Sequence, residues 1–269
     1  MTGNPVALVT GASSGIGRAV AARLAGAGYT VFGTSRAPAR ATPLPGVTFL
    51  PLDVAEEASV SACVQSILGQ EERLDLLVNN AGIAVMGAVE ETPMAVGRRL
   101  FETNFFGVIR VTQAVLPIMR RQRSGCIINV SSIAGLVPIP FAGFYSASKY
   151  AVEGLTEVLR AEVATLGIRV AMVEPGFFKT ELIGEGTVSD AGIEDYDPVR
   201  KRVLGRLRAV EAAAPPPTAV ADLVVRLARH PAPPLHNPVG KERIFATLKR
   251  FLPAAMFEPQ GLKYWRVSA

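Results

Sequence analysis

Val6-Ala7-Leu8-Val9-Thr10-Gly11-Ala12-Ser13-Ser14-Gly15-Ile16-Gly17 decides the fold of this chain. Its first four residues are apolar and valine-rich, which reads as a short buried strand. A glycine-rich turn follows, and residues 18–28 then carry apolar side chains at helical spacing. Strand, glycine turn and helix in that order make an anion site, because the first N–H groups of the helix are unpaired and its dipole is positive there. Gly11 stands where the backbone needs a conformation that a side chain forbids. Gly15 and Gly17 leave the turn open to a close phosphate. The spacing Gly-x-x-x-Gly-x-Gly differs from the commoner Gly-x-Gly-x-x-Gly. Taken alone, it also describes a tight turn with no ligand.

Strand-like and helix-like runs go on alternating as far as Glu174. That order predicts an α/β fold, a parallel sheet with helices on both faces. Residues 143–166 read as a long helix. Tyr145 and Lys149 lie four apart there and share a face. A free tyrosine has a pKa of about 10, and a neighbouring ammonium favours its phenolate. The pair therefore suits proton exchange with a carbonyl or hydroxyl oxygen, with the tyrosine made more acidic than usual. Upstream, Ile127-Ile128-Asn129-Val130-Ser131-Ser132 is a strand ending in two hydroxyls, at the end of the sheet where ligands bind. The competing reading makes Tyr145 and Lys149 surface residues and the serines helix caps. The glycine turn in the same chain decides against it.

These motifs resemble the short-chain dehydrogenase/reductase family over most of the chain, from about residue 6 to residue 180. The resemblance extends to its hydroxysteroid and retinol dehydrogenase branch. Gly11, Ser13, Ser14, Gly15, Ile16 and Gly17 match the cofactor turn. Asp53, with Val54, matches the aspartate that contacts adenine. Asn80, Ala81 and Gly82 match the motif after the fourth strand. Asn104 in Thr103-Asn104-Phe105-Phe106-Gly107 matches the asparagine of a catalytic tetrad. Ser132 stands 13 residues before Tyr145 (145 − 132), as the family's serine does. Pro175, Gly176 and Thr180 match the segment beside the nicotinamide.

The resemblance implies a doubly wound, Rossmann-type sheet in one domain spanning 1–269. It also implies an oxidoreductase that moves a hydride between a nicotinamide cofactor and a C–O group. Tyr145 would be general acid in reduction and base in oxidation. Lys149 would assist it and bind the ribose, and both would touch the cofactor. Ser132 would orient the substrate oxygen. Asn104 would hold a water linking Lys149 to solvent. Asparagine is a mediocre helix former, so a backbone break or bound water is expected near Asn104. Homodimers or homotetramers are common among such relatives, with the long helices starting near Pro93 and Gly143 as candidate interfaces. Two further readings remain: a non-catalytic NADP-binding sensor or scaffold, and an epimerase or dehydratase.

NAD sites usually place an acid at the end of the second strand. This chain has Ser35 and Arg36 there, which suit the 2′-phosphate of NADP(H). NADP(H) is therefore the expected cofactor, with Arg40 a second candidate contact and an NAD-dependent dehydrogenase the alternative. Ser14 departs from the basic residue that some NADP-using relatives carry. The segment 136–141, with Ile83, Val85 and Met86, is apolar and must lie near the reacting oxygen. It predicts a hydrophobic ketone, aldehyde or alcohol as substrate.

The chain has 269 residues, 49% of them hydrophobic, enough for a large core. No apolar run is long enough for a transmembrane helix, and the N-terminus leads straight into the first strand. A cytoplasmic protein is expected. Cys63 and Cys126 read as buried thiols, with no metal site or disulfide framework. His230 and His236 flank a proline-rich turn and read as structural. The net charge of +5 is scattered, which argues against nucleic acid.

Pro38, Pro43 and Pro45 shorten or remove the helix after the second strand. Residues 177–217 are expected to supply the substrate-binding loop and helices. Lys179, Glu181, Glu185, Asp190, Glu194 and Asp195 there read as a solvated set, interleaved with Phe177, Phe178, Leu182, Ile183 and Tyr196. Residues 241–269 read as a C-terminal cap segment, too apolar to be loose, which packs on the body, closes the pocket or meets a partner subunit.

Overall fold

Strand β1, Val6–Val9, is buried along its whole length. In the computed structural model, which describes residues 3–180 and 192–267, β1 lies between β2, Thr30–Ser35, and β4, Leu76–Asn79. The strands run in the order β3-β2-β1-β4-β5-β6-β7. Here β3 is Val47–Pro51, β5 Gly125–Val130, β6 Ile168–Pro175 and β7 Pro238–Val239. Every pairing is parallel. The chain winds outward from β1 to β3, then returns and winds the other way from β4. That reversal opens a crevice at the carboxyl ends of β1 and β4.

Period-2 alternation along the strands builds a core on each face. Val6 and Leu8 of β1 face one way, where α2 (Glu57–Leu68), α4 (Gly107–Gln122) and α5 (Gly143–Glu162) supply Val60, Ile67, Val111, Val115 and Leu159. Ala7 and Val9 face the other way. There α1 (Gly15–Gly26) and α7 (Thr218–Arg229) supply Val20, Leu24, Val220 and Val224. The sheet is thus doubly wound with helices on both faces, as expected. Both cysteines are free and buried, and burial pushes each thiol up to about 11.

The proline-bearing stretch after β2 forms only a 3₁₀ turn, Pro38–Arg40. The helix expected over 143–166 ends at Glu162 and gives way to a 3₁₀ turn, Ala164–Leu166. The helical pattern after Pro93 divides into α3 (Met94–Phe101), one π-helical turn (Glu102–Phe106) and α4. Such turns widen a helix locally, and this one carries Asn104. Three further helices follow: α6 (Asp197–Ala212), α8 (Arg243–Phe251) and α9 (Ala254–Tyr264). Glu181, Leu182, Ile183, Glu185 and Asp190 lie outside the described residues. Lys179, Glu194 and Asp195 are exposed, as a solvated set should be.

Candidate active site

The glycine turn is held from below by β4. Thr10 Oγ1 accepts from the N–H groups of Asn80 and Ala81, each at 2.9 Å. The Asn80 amide donates back to the carbonyls of Thr10 (2.9 Å) and Gly11 (3.1 Å). Gly11 has φ +65° and Gly15 φ +53°, both in the region that favours glycine. A Cβ at Gly17 would lie 2.2 Å from the Gly11 carbonyl oxygen and 2.4 Å from Asn80 Nδ2. Its smallness thus serves close contact within the protein, at a residue that also borders the cleft. Ser14, at the N-cap of α1, makes no side-chain capping bond. The first N–H groups of α1 are left for a ligand.

These residues border a cleft of about 1090 Å³. Gly11, Ser13, Ser14, Gly15, Ile16 and Gly17 form one wall, and Ser35, Arg36 and Arg40 one end. Asp53, Val54, Asn80, Ala81 and Gly82 continue the wall. Ser132, Tyr145, Lys149, Pro175, Gly176 and Thr180 complete it. Residues scattered over about 170 positions of sequence therefore converge on the crevice at the strand ends. The volume is at the upper end of ordinary ligand pockets, roughly 300–1,000 Å³, and suits an extended ligand with a second molecule beside it. Helix N-terminus, glycine turn and terminal arginines fit the phosphates of a dinucleotide.

Asn104 stands behind this wall, 1% exposed. Its Oδ1 accepts from the Ile83 N–H (2.8 Å) and its Nδ2 donates to the Ile83 carbonyl (2.9 Å) and to Ser148 Oγ (3.2 Å). Ser148 Oγ donates in turn to the Tyr145 carbonyl at 2.7 Å. Asn104 thus clamps the segment after Gly82 to the first turn of α5.

Lys149 is 6% exposed, and its Nζ donates to the Val130 carbonyl at 3.0 Å. Burial pulls its pKa down to about 8, against the opposing pull of Glu153. Nζ lies 5.9 Å from the centre of the Tyr145 ring. Tyr145 departs from expectation: burial raises its pKa, and a hydrogen bond with Ser132 only partly offsets this. Desolvation of the phenolate is the larger of these two influences. Burial thus pushes Tyr145 away from the more acidic state that the Tyr-x-x-x-Lys spacing suggested.

Below Lys149 lies a cluster that spacing did not reveal. His236 Nδ1 lies 3.0 Å from Glu174 Oε1 and 3.4 Å from Glu153 Oε2, and Nε2 lies 3.6 Å from Glu157 Oε1. Glu174 Oε2 accepts from the Asn237 N–H at 2.7 Å. Burial raises the pKa of both Glu153 and Glu174, and the Glu174 charge raises that of Glu153 further. His236, which read as an isolated structural residue, therefore has three carboxylate neighbours. The available signals were weak: Glu153 stands four residues after Lys149 on α5, and Glu174 is an acid in an apolar strand. Nearby, the Asn79 amide donates to Asn129 Oδ1 (2.9 Å) and Thr112 Oγ1 (3.0 Å), and Asn129 donates to Thr156 Oγ1 (2.8 Å). This ladder ties β4 and β5 to α4 and α5. Glu242, also unforeseen, accepts from the Phe177 N–H at 3.2 Å and fixes the segment after Gly176.

The outer end of the cleft is apolar. Met86, Ala142, Val203, Leu207 and Trp265 form a buried cluster against Ile139, Phe141, Tyr145 and Phe177. The Trp265 ring lies 6.0 Å from Phe177 at a steep angle. The C-terminal segment thus packs on the body beside the cleft, one of the outcomes its apolar composition allowed. Arg99 and Glu211 also border the cleft and were not foreseen.

Residues 5–188 match the family model described as short chain dehydrogenase. The 3-ketodihydrosphingosine reductase of Bacteroides thetaiotaomicron is 38% identical, over 94% of this chain and 95% of its own. Retinol dehydrogenase 8 of Bos taurus is 34% identical, over 97% of this chain and 88% of its own. Among solved structures, a short chain dehydrogenase/reductase from Burkholderia phymatum in complex with NAD has a TM-score of 0.80 at 27% identity, covering 96% of this chain and 95% of its own. ElxO with NADP bound has a TM-score of 0.73 at 28% identity, covering 90% and 99%. Fold, cleft and relatives agree, and the chain belongs to the short chain dehydrogenase family of oxidoreductases.

Proposed function

We propose that this protein is an NADP(H)-dependent reductase of hydrophobic ketones or aldehydes, with the reverse oxidation of the alcohols. The observation that carries the reading is the meeting of Ser132, Tyr145 and Lys149 with the glycine turn around one cleft. A bound nicotinamide supplies the hydride-carrying carbon. Tyr145, held as a phenol by burial, donates its proton to the carbonyl oxygen in reduction and recovers it in oxidation. The Ser132 hydroxyl holds that oxygen against the phenol. Lys149 stabilises the phenolate left behind and binds the ribose. Asn104 orients the segment at Ile83 and α5 around them, and a water held at its amide connects Lys149 with solvent.

The first turn of α1 takes the pyrophosphate, and Asp53 with Val54 takes the adenine end. Pro175, Gly176 and Thr180 border the carboxamide. Ser35 and Arg36, with Arg40, take the 2′-phosphate. No acid stands there to repel it, which favours NADP(H) over NAD(H); the related structures include both cofactors. The apolar cluster around Met86 and Phe177 supports an apolar substrate. So do two relatives whose names point to a sphingoid ketone and to retinol.

The test is a spectrophotometric screen of NADPH consumption against long-chain and cyclic ketones and aldehydes, with Tyr145→Phe as control. Turnover should fall by roughly 10²–10⁴-fold in the variant, while NADPH binding by fluorescence stays unchanged. Full activity in the variant would overturn the acid–base assignment. Turnover confined to small polar ketones would overturn the substrate class. Tight NADPH binding without turnover on any carbonyl would favour the sensor reading.

A further inference from the structure

Among the described residues, half of the ten exposed large apolar side chains fall within 244–262: Ile244, Leu248, Phe251, Met256 and Leu262. Ile244, Leu248 and Phe251 recur at i, i+4 and i+7, one stripe along α8. Phe251 is 76% exposed and Ile244 52%. Away from the stripe, the Phe245 ring meets Tyr264 of α9 at 4.7 Å, and Lys249 Nζ donates to the Leu136 carbonyl of the body at 2.6 Å. The stripe is therefore not the packing face of the helix.

The charge around it has one sign. Between residues 241 and 267 the chain carries six Lys or Arg and two Glu. Glu242 is buried and turned to the Phe177 N–H, which leaves Glu258 as the one exposed acid of this segment. Arg243 and Arg250 flank the stripe and are exposed. The Arg250 guanidinium lies 6.0 Å from the centre of the Phe251 ring. An apolar stripe edged by cations is the pattern of a helix that lies in a bilayer interface, with its arginines reaching up to the headgroups. No helix among the described residues is long and apolar enough to cross a membrane, so contact would be at the surface.

We propose that the stripe of α8 is a docking surface for a bilayer rich in anionic lipid. A second copy of the chain is the weaker occupant. A two-fold contact sets the same patch against itself and would crowd Arg243 and Arg250 against their own counterparts. Anionic headgroups complement these charges instead. The docked segment runs directly into Tyr264 and Trp265, beside the outer end of the cleft.

The test is flotation of the purified full-length protein with vesicles of phosphatidylcholine containing phosphatidylglycerol, and with phosphatidylcholine alone. The protein should float with the anionic vesicles, much less with the neutral ones, and be released by added salt. Arg243→Gln with Arg250→Gln should weaken partition by about 25-fold, at about fivefold per charge. Phe251→Asp should abolish it with an unchanged circular dichroism spectrum. Wild-type protein that floats with neither vesicle overturns the proposal. So does a Phe251→Asp variant that partitions like wild type. Conversion of a dimer to monomer by Phe251→Asp, with no vesicle binding in either form, would assign the face to a second copy. Flotation is read without turnover, so it stands or falls apart from the proposed activity.

Discussion

Replacing Glu174 by Gln should flatten the pH dependence of stability on the acidic side of neutrality. The Glu174 side chain is fully buried, and burial pushes its pKa from 4.5 to about 7. The folded protein therefore keeps a proton that the unfolded chain has already lost between those values. Stability from this group is complete below about 4.5 and is lost as pH rises through about 7. A rise of about 2.5 pH units, at about 1.4 kcal/mol each, gives a loss of about 3 kcal/mol. Glutamine carries no titrating proton, keeps an oxygen for the Asn237 N–H, and offers its amide to His236. It also removes the like charge that pushes Glu153 upward. Urea unfolding of both proteins at intervals from pH 4.5 to 8 measures the difference directly. The wild type should lose about 3 kcal/mol more than the variant across this range. Parallel curves, or a wild type that gains on the variant as pH rises, would refute the idea that Glu174 is held protonated by burial.

Three further outcomes follow from the cleft. Arg36→Asp should raise KM for NADPH at least tenfold, about 1.4 kcal/mol or more, and leave KM for NADH little changed; equal effects would defeat the 2′-phosphate assignment. Because burial lowers Lys149 to about 8, kcat/KM for reduction should fall as pH rises through about 8, when the ammonium deprotonates. Lys149→Arg should move that limb upward; an unmoved limb would mean that another group titrates. Gly17→Ala should cost about 1–3 kcal/mol in thermal unfolding and weaken NADPH binding, since its methyl would meet the Gly11 carbonyl and Asn80. A variant with wild-type stability would show that the turn can relax.

What could be read without coordinates was local. The run Val6–Gly17 specified strand, turn and helix, because chain connectivity alone fixes that geometry. The order of later strands and helices specified a parallel sheet wound both ways. The stretch near Asn104 showed its irregularity through a poor helix former, and the π-helical turn stands there. Residue spacing likewise put Tyr145 and Lys149 on one face of α5.

Tertiary structure decided what depends on solvent exclusion and distant contact. Whether Tyr145 is more or less acidic than a free phenol is set by how much water reaches it. That depends on the packing around it, the Met86 cluster included, and a four-residue interval does not state it. His236 lies 83 positions from Glu153, and the two meet because β7 pairs with β6 beside α5. Gly17 reads as an opening for a phosphate, and only the fold shows that Asn80, just after β4, and the Gly11 carbonyl also come close against it. The C-terminal segment reads as too apolar to be loose, and only the fold shows that Phe245 meets Tyr264 while Ile244, Leu248 and Phe251 face out. A linear pattern states which side chains share a face, but burial is a property of what covers that face, and only the folded chain supplies the cover.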